Sequence, residues 1–144
     1  MKVQPLVNDM DIACVRIVPM RHHHDCVICC LAMLLGTSYE ATLVAVSKVK
    51  KDAGTNGIYW TEAKKVAKQL NFKLMVHKGK KDWTELSGIL AVEPTRCSKE
   101  TQIHAVLMLR GLVVDPMHGE VWDDLDAYLA ENKYKAGSLL IRKK

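Results

Sequence analysis

A cysteine at the start of an apolar helix is the residue of this chain with the clearest chemical potential. Every residue from Val27 to Leu35 is apolar, and Gly36, a typical residue at a helix C-terminus, follows. This pattern predicts a helix buried on all sides, with Asp25 as an N-cap whose carboxylate accepts free backbone N–H groups. The positive end of the helix dipole favours thiolate at Cys26, so we expect a lowered thiol pKa. Cys26 is therefore a candidate nucleophile; the alternative is a core cysteine that falls near a helix end.

A thiol nucleophile needs a general base, and the base needs a group that orients it. His104 and Asp115 lie on two β-rich runs that flank Arg110-Gly111, which is a hairpin signal. With a two-residue turn, Val106 faces Asp115, and His104 is the diagonal neighbour of Asp115 on the same face, about 7–8 Å away. A four-residue loop gives the same pairing, whereas a three-residue loop separates the two side chains onto opposite faces. The pattern predicts a His104–Asp115 pair with one imidazole nitrogen left for a thiol.

Other interpretations of these residues stay open at the level of sequence. Taken alone, His104 is a polar residue at a strand entrance, and Asp115 is a turn former before proline. His118, close to Asp115, and His77 are alternative bases. The order of the three candidate residues along the chain carries more information than any one of them.

Three motifs resemble those of a known family. Residues 25–36, Asp-Cys-Val-Ile-Cys-Cys-Leu-Ala-Met-Leu-Leu-Gly, resemble the nucleophile helix of small papain-like cysteine peptidases and are similar to the bacteriocin-leader-processing (double-glycine) peptidase domains. Residues 104–106, His-Ala-Val, and 114–116, Val-Asp-Pro, resemble the histidine strand and the Asp-Pro element of that family. Residues 57–61, which lead into a predicted helix, also fit. The resemblance extends from about Met20 to Asp115.

This resemblance implies a thiol-dependent peptidase that hydrolyses a peptide or isopeptide bond. Cys26 would be the nucleophile, His104 the base and Asp115 the orienting acid of a catalytic triad. The substrate would be a peptide or a protein, and no metal or organic cofactor is needed. An acyltransferase that uses the same triad is an alternative.

One position departs from the family pattern. The family carries a glutamine six residues before the cysteine, which donates to the oxyanion, but here that position is Met20. The candidate replacements are Arg21 and His22, with His23 and His24 as further alternatives if the loop is shifted, together with the backbone N–H of Cys26. Losing one oxyanion donor typically costs about 10²–10³ in rate. A second interpretation is therefore a catalytically weak papain-like module that binds a peptide or protein.

Composition limits the class of protein. The 144 residues, 49% of them apolar, suffice for one domain with a real core, so we expect a single domain over 1–144. The longest apolar run is too short to span a bilayer, and residues 1–10 lack the apolar region of a signal peptide. Five cysteines are an odd number without framework spacing, which is typical of a reducing compartment. We expect a cytoplasmic protein without a membrane partner.

Charge and ligand patterns favour neither nucleic acid nor metal. The net charge of +5 comes from 21 basic and 16 acidic residues, in short clusters without interleaved aromatic residues, so a solvated surface is expected and nucleic acid is not. The run His22–His24 beside Cys26 and Cys29 has zinc-ligand types. Adjacent residues point apart, however, and no second ligand pair completes four ligands, so no metal is expected.

The remaining periodicity predicts an α+β, papain-like domain. In it, an N-terminal helical half with the central nucleophile helix packs on an antiparallel β-sheet, and the reactive groups meet between the two halves. The predicted elements are a strand at 14–19, a helix from a Thr37/Glu40 capping box to about Val49, a helix capped by Thr61 with Ala63, Val66, Ala67 and Leu70 on one face, strands at 72–77 and 89–93, the hairpin, a helix at 124–132 with Leu125, Tyr128 and Leu129 inward, and a strand at 138–142.

Overall fold

The computed structural model describes residues 2–3, 17–21, 24–51, 58–77, 83–95 and 104–142. The start of the predicted strand at 14–19, His22 and most of the predicted loops at 52–57 and 95–101 lie outside these ranges. The described helices are α1 (Cys26–Leu35), α2 (Tyr39–Val49), α3 (Trp60–Gln69) and α4 (Leu125–Asn132), with a short 3-10 helix at Trp83–Glu85. The described strands are β1 (Lys2–Val3), β2 (Leu74–His77), β3 (Ser87–Pro94), β4 (His104–Leu109), β5 (Leu112–Asp115), β6 (Glu120–Trp122) and β7 (Tyr134–Arg142).

The described strands form one sheet in the order β1-β6-β5-β4-β3-β7-β2. Every pair of neighbours is antiparallel. The strand that begins with His104 lies in the middle of the sheet, where both edges are paired. In the chain, α1 to α3 follow β1 and precede the other described strands. Because helices and antiparallel strands are largely separate along the chain, the predicted α+β class is confirmed.

Each face of the sheet packs on its own hydrophobic cluster. The first cluster joins α1, α2 and α3 to the sheet, and along β4 it includes Ala105 and Leu107. The second cluster lies on the opposite face under α4, and along β4 it includes Val106 and Met108. This alternation is the period of two that a strand imposes on its side chains. Because both faces are covered, β4 is apolar throughout after His104.

Helix α1 is buried along its whole length, as its uniformly apolar sequence predicts. Residues from Ile28 to Leu31 have no exposed surface, and the helix packs on β4 and β3. Gly36 ends the helix with φ +69°, a left-handed conformation that glycine adopts without the cost of a Cβ. The predicted stop is confirmed. A helix enclosed in this way has one orientation, which fixes where its first residue points.

The predicted caps of the next two helices are wrong by one or two residues. Ser38, not Thr37, is the N-cap of α2, and its Oγ accepts from the Ala41 backbone N–H at 3.0 Å. The Thr37 hydroxyl instead lies 2.7 Å from the Thr42 hydroxyl.

Helix α3 begins at Trp60 rather than after Thr61, with Tyr59 as its N-cap. Oε1 of Glu62 accepts from the Tyr59 backbone N–H at 2.9 Å, which satisfies a donor at the helix start.

Strand β7 begins at Tyr134, four residues before the predicted start at Ser138. Its extra residues pair with β3, with Ala136 opposite Val92 and Tyr134 opposite Pro94, across an irregularity in the register. Pairing along a complete neighbouring strand outweighs the weak strand propensity of this segment.

Among the described residues, no single helix has the length and apolarity to cross a membrane. Helices α1 and α2 taken together have the required length and apolarity, but the chain bends by 118° between them.

Candidate active site

The β4–β5 hairpin brings His104 and Asp115 into direct contact. Leu109 pairs with Leu112, so the turn is Arg110-Gly111, the two-residue alternative, and both turn residues have positive φ, as a tight hairpin turn requires. Nε2 of His104 lies 2.7 Å from Oδ1 of Asp115. The predicted pairing of these two residues is confirmed.

The Asp115 carboxylate accepts three hydrogen bonds in a buried position. Oδ1 accepts from His104 and from the Met117 backbone N–H at 2.9 Å. Oδ2 accepts from the Tyr128 hydroxyl at 2.7 Å. Because an ionised carboxylate only accepts, this arrangement assigns the hydrogen to Nε2 of His104 and leaves Nδ1 of the ring for another partner.

Charge and burial shift the pKa values of both His104 and Asp115. Burial lowers the pKa of His104, but the hydrogen bonds to Asp115 and to the Cys26 side chain outweigh it and raise that pKa from 6.5 to about 9. Burial raises the pKa of the Asp115 carboxyl, but the bonds from His104, Tyr128 and Met117 outweigh it, so the net shift is downward. The pair is therefore an aspartate beside an imidazolium at neutral pH.

Cys26 is the first residue of α1 and is almost completely buried. Its side chain lies close enough to His104 to be among the causes that raise the pKa of that histidine, so the helix start and the β4 start meet at this point. With Nε2 committed to Asp115, Nδ1 is the ring nitrogen left for the thiol. The structure thus brings together Cys26, His104 and Asp115.

Asp25 does not cap α1 with its side chain, which corrects the sequence prediction. It occupies the N-cap position, and its backbone carbonyl accepts from the Cys29 N–H at 2.9 Å. Its fully buried carboxylate instead accepts from the Arg21 backbone N–H at 3.0 Å and from the Tyr39 hydroxyl at 2.8 Å. Asp25 therefore ties the segment before the helix to α2. The expectation that the helix start activates Cys26 stays a prediction.

The two cysteines that follow on α1 are core residues, as predicted. Cys29 and Cys30 have no exposed surface. Burial raises the pKa of the Cys29 thiol to about 12 and that of Cys30 well above its ordinary value. Both side chains are therefore neutral thiols in the folded protein, which distinguishes them from a nucleophile that contacts a base.

The oxyanion candidates have different surroundings. Met20 is half-buried against the first cluster, and its backbone N–H donates to the Pro116 carbonyl at 2.7 Å. The Arg21 guanidinium forms an ion pair with Glu40 at 2.9 Å and lies 4.2 Å from the centre of the Tyr39 ring. Arg21 is thus engaged on α2, and its role as an oxyanion donor stays a prediction. His22 lies outside the described residues.

The alternative bases lie elsewhere. His118 is exposed, in the turn between β5 and β6. His77 ends β2, at the far edge of the sheet, opposite Leu139. Neither has the aspartate contact that His104 has within the described part of the chain. His104 is the histidine that the geometry supports.

Sequence reasoning placed Tyr128 in the core but missed its contact with the site. Its hydroxyl bonds Asp115, and its ring lies 6.1 Å from Tyr134, whose own ring lies 6.2 Å from His104. The signal available in the sequence is that a buried tyrosine needs a partner for its hydroxyl. Which partner it finds depends on how α4 docks on the sheet.

Comparison with known proteins adds a family match. A model of the peptidase C39 family matches residues 14–93, which is more than half of the chain. The matched part includes Cys26 and ends before His104 and Asp115. No curated protein matches the chain. Within the described ranges, no group of three or more His, Cys, Asp or Glu side chains is arranged to hold a metal ion.

Proposed function

Because the chain belongs to the peptidase C39 family, we propose that it is a cysteine peptidase that hydrolyses a peptide or isopeptide bond in a peptide or protein substrate. Cys26 is the nucleophile, His104 the general base and acid, and Asp115 the orienting group. The observation that carries this proposal is the 2.7 Å contact of His104 Nε2 with Asp115 in a histidine that also neighbours the Cys26 thiol. The family match covers Cys26 but not His104, so by itself it would not identify a base.

The first half of the reaction forms an acyl-enzyme. In the resting pair Nδ1 of His104 already holds the proton of the Cys26 thiol, and the thiolate sulfur attacks the carbonyl carbon of the scissile bond. The tetrahedral intermediate collapses when the carbon–nitrogen bond breaks and His104 gives its proton to the leaving amine. The product is a thioester on Cys26 and a free amine.

The second half restores the enzyme. His104 takes a proton from water, the hydroxide oxygen attacks the thioester carbon, and the carbon–sulfur bond breaks to release a carboxylic acid. The Cys26 sulfur leaves as a thiolate and His104 keeps the proton, which restores the resting pair. Throughout, the buried Asp115 carboxylate holds Nε2 protonated and balances the imidazolium charge.

Oxyanion stabilisation is the weakest part of this site. The Cys26 backbone N–H lies in the first turn of α1, where helix N–H groups have no intrahelical partner, and it is one donor for the oxyanion. The Met20 side chain, at the position of the family's glutamine, supplies none, and its backbone N–H is bonded to Pro116. A peptidase with one donor fewer is expected to be slower by about 10²–10³.

Met20 also favours a second candidate function. A module that binds a peptide beside Cys26 without cleaving it needs a peptide-binding surface but not the oxyanion donor. In that case the His104–Asp115 pair is a remnant of an enzyme, and peptides bind the protein without turnover.

Turnover of a fluorogenic peptide library by the wild type and by Cys26→Ala distinguishes the two functions. We expect cleavage by the wild type, loss of detectable cleavage in Cys26→Ala, and loss of several orders of magnitude in His104→Ala. Cys29→Ala, a change of a buried thiol one turn away, is the matched control and should keep its cleavage rate. Cleavage that persists in Cys26→Ala would overturn the peptidase proposal, and tight binding of library peptides without products would favour the binding module.

A further inference from the structure

The two oxygens of the Asp115 carboxylate have separate partners. Oδ1 faces His104 and the Met117 backbone N–H, whereas Oδ2 faces the Tyr128 hydroxyl at 2.7 Å. Tyr128 has no exposed surface, and Asp115 is 7% exposed, so water does not replace this bond readily. Without Tyr128, one oxygen of a buried anion would lose its donor.

Tyr128 is held in place by its own helix. The Asp124 side chain caps α4 by accepting from the Asp126 and Ala127 backbone N–H groups at 2.9 and 3.3 Å. The indole ring of Trp122 meets the Tyr128 ring edge-on, with centroids 5.6 Å apart. Because α4 is capped and the Tyr128 ring is packed, the Tyr128 hydroxyl points toward the face of the sheet that carries the second cluster. Asp115 lies there, at the end of β5.

We propose that Tyr128 is a positioning residue of this site: its hydroxyl holds the Asp115 carboxylate ionised and turned so that Oδ1 meets His104. This inference rests on the proposed function, because it assigns Tyr128 a role in tuning the His104–Cys26 pair. Tyr128 acts through Asp115 and contacts neither the nucleophile nor the substrate. The site is then a chain of four groups, with the last one supplied by α4.

The chemistry of the contact supports this role. A hydrogen bond to a charged group contributes more to stability than one between neutral groups. Burial and the neighbouring Asp115 charge raise the pKa of Tyr128, so the hydroxyl stays protonated and remains a donor at every pH at which the site functions. Its bond is among the causes that lower the pKa of the Asp115 carboxyl.

The test is the pH dependence of Cys26 alkylation in Tyr128→Phe. Limiting iodoacetamide is added between about pH 2.5 and pH 10, so that the series reaches below the ordinary carboxyl pKa of about 3.9, and labelling of Cys26 is mapped by peptide mass. Because protonation of Asp115 removes the charge that supports His104, labelling falls on the acid side. We expect Tyr128→Phe, which deletes one donor to Asp115, to move this acid limb upward by about one pH unit. On the alkaline side the thiolate remains reactive after His104 loses its proton, so labelling there should be the same in Tyr128→Phe and in the wild type.

Tyr134→Phe is the matched control. The Tyr134 ring lies in the same aromatic group, 6.2 Å from that of His104, but among the described residues its hydroxyl donates no hydrogen bond to Asp115. Its acid limb should stay where it is in the wild type. An unchanged acid limb in folded Tyr128→Phe, or a uniform loss of labelling at all pH values, would overturn the inference.

A failure of the proposed function has a different signature. If Cys26 is not activated, the wild type itself shows no rapid labelling below the ordinary thiol pKa of about 8.5. If Tyr128→Phe does not fold, proton NMR of the wild type replaces it. A slowly exchanging Tyr128 hydroxyl proton that shifts as Asp115 titrates supports the inference, and a hydroxyl signal that does not respond to that titration overturns it.

Discussion

Asp115→Asn should change the stability of the protein in a pH-dependent way. Asparagine keeps the size of the side chain: its oxygen can accept from His104 and Met117, and its amide can donate to the Tyr128 oxygen. What it removes is the negative charge beside His104. Burial then dominates and should bring the pKa of His104 below its ordinary 6.5, so that the imidazole is neutral near pH 7.

The magnitude follows from the pKa of His104 in the wild type. Asp115 is among the causes that raise it from 6.5 to about 9, and His104 is only 8% exposed, so solvent screening is slight. Each unit corresponds to about 1.4 kcal/mol, which gives about 3 kcal/mol for the whole shift. Because the pKa is raised in the folded state, this stabilisation is complete below pH 6.5 and is lost as the pH rises through about 9. Folding lowers the pKa of Asp115, so the stabilisation from its ionised carboxylate is complete above pH 3.8. It is lost as the pH falls through the pKa of Asp115 in the folded protein.

Urea unfolding of the wild type and Asp115→Asn from about pH 5.5 to pH 9.5 measures this difference. The free energies of unfolding of the two proteins should differ most at the acid end. This difference should shrink by about 3 kcal/mol toward the alkaline end. Glu131→Gln, which removes the same charge from an exposed position on α4, should differ from the wild type by a constant amount. A difference between wild type and Asp115→Asn that does not vary with pH would contradict this prediction, as would an NMR titration of His104 near pH 6.5 in both proteins.

Three further changes test other parts of the argument. Met20→Gln should raise the peptide cleavage rate, by at most about 10²–10³-fold, if the missing donor limits the enzyme; initial rates that do not rise would contradict this. Ser38→Ala should lower the free energy of unfolding by about 1 kcal/mol through loss of the α2 cap, whereas Ser47→Ala, at an exposed site, should have little effect in the same urea titration. Gly88→Ala places a Cβ 2.5 Å from the Leu140 carbonyl oxygen and should cost at least about 1–3 kcal/mol in thermal unfolding; an unchanged Tm would show that β3 and β7 can separate.

Local features of the sequence determined the parts of the site that depend on neighbours in the chain. The apolar run after Cys26 gave a buried helix because its uniform apolarity leaves no face for solvent. The hairpin register followed from a two-residue turn and a side-chain period of two, which together make His104 and Asp115 diagonal neighbours on one face. Both are short-range constraints, so no knowledge of the rest of the fold was needed.

Tertiary structure decided the contacts between segments far apart in the chain. The Asp25 carboxylate turned to Arg21 and Tyr39 rather than to the helix start, because a buried hydroxyl and a backbone N–H from outside the helix lie within its reach. Tyr128 reached Asp115 because α4 docks on the second face of the sheet. The helix start that carries Cys26 meets His104 because α1 packs on β4. Such partners depend on packing across the whole sheet, whereas patterns along the sequence record only which side chains must find a partner.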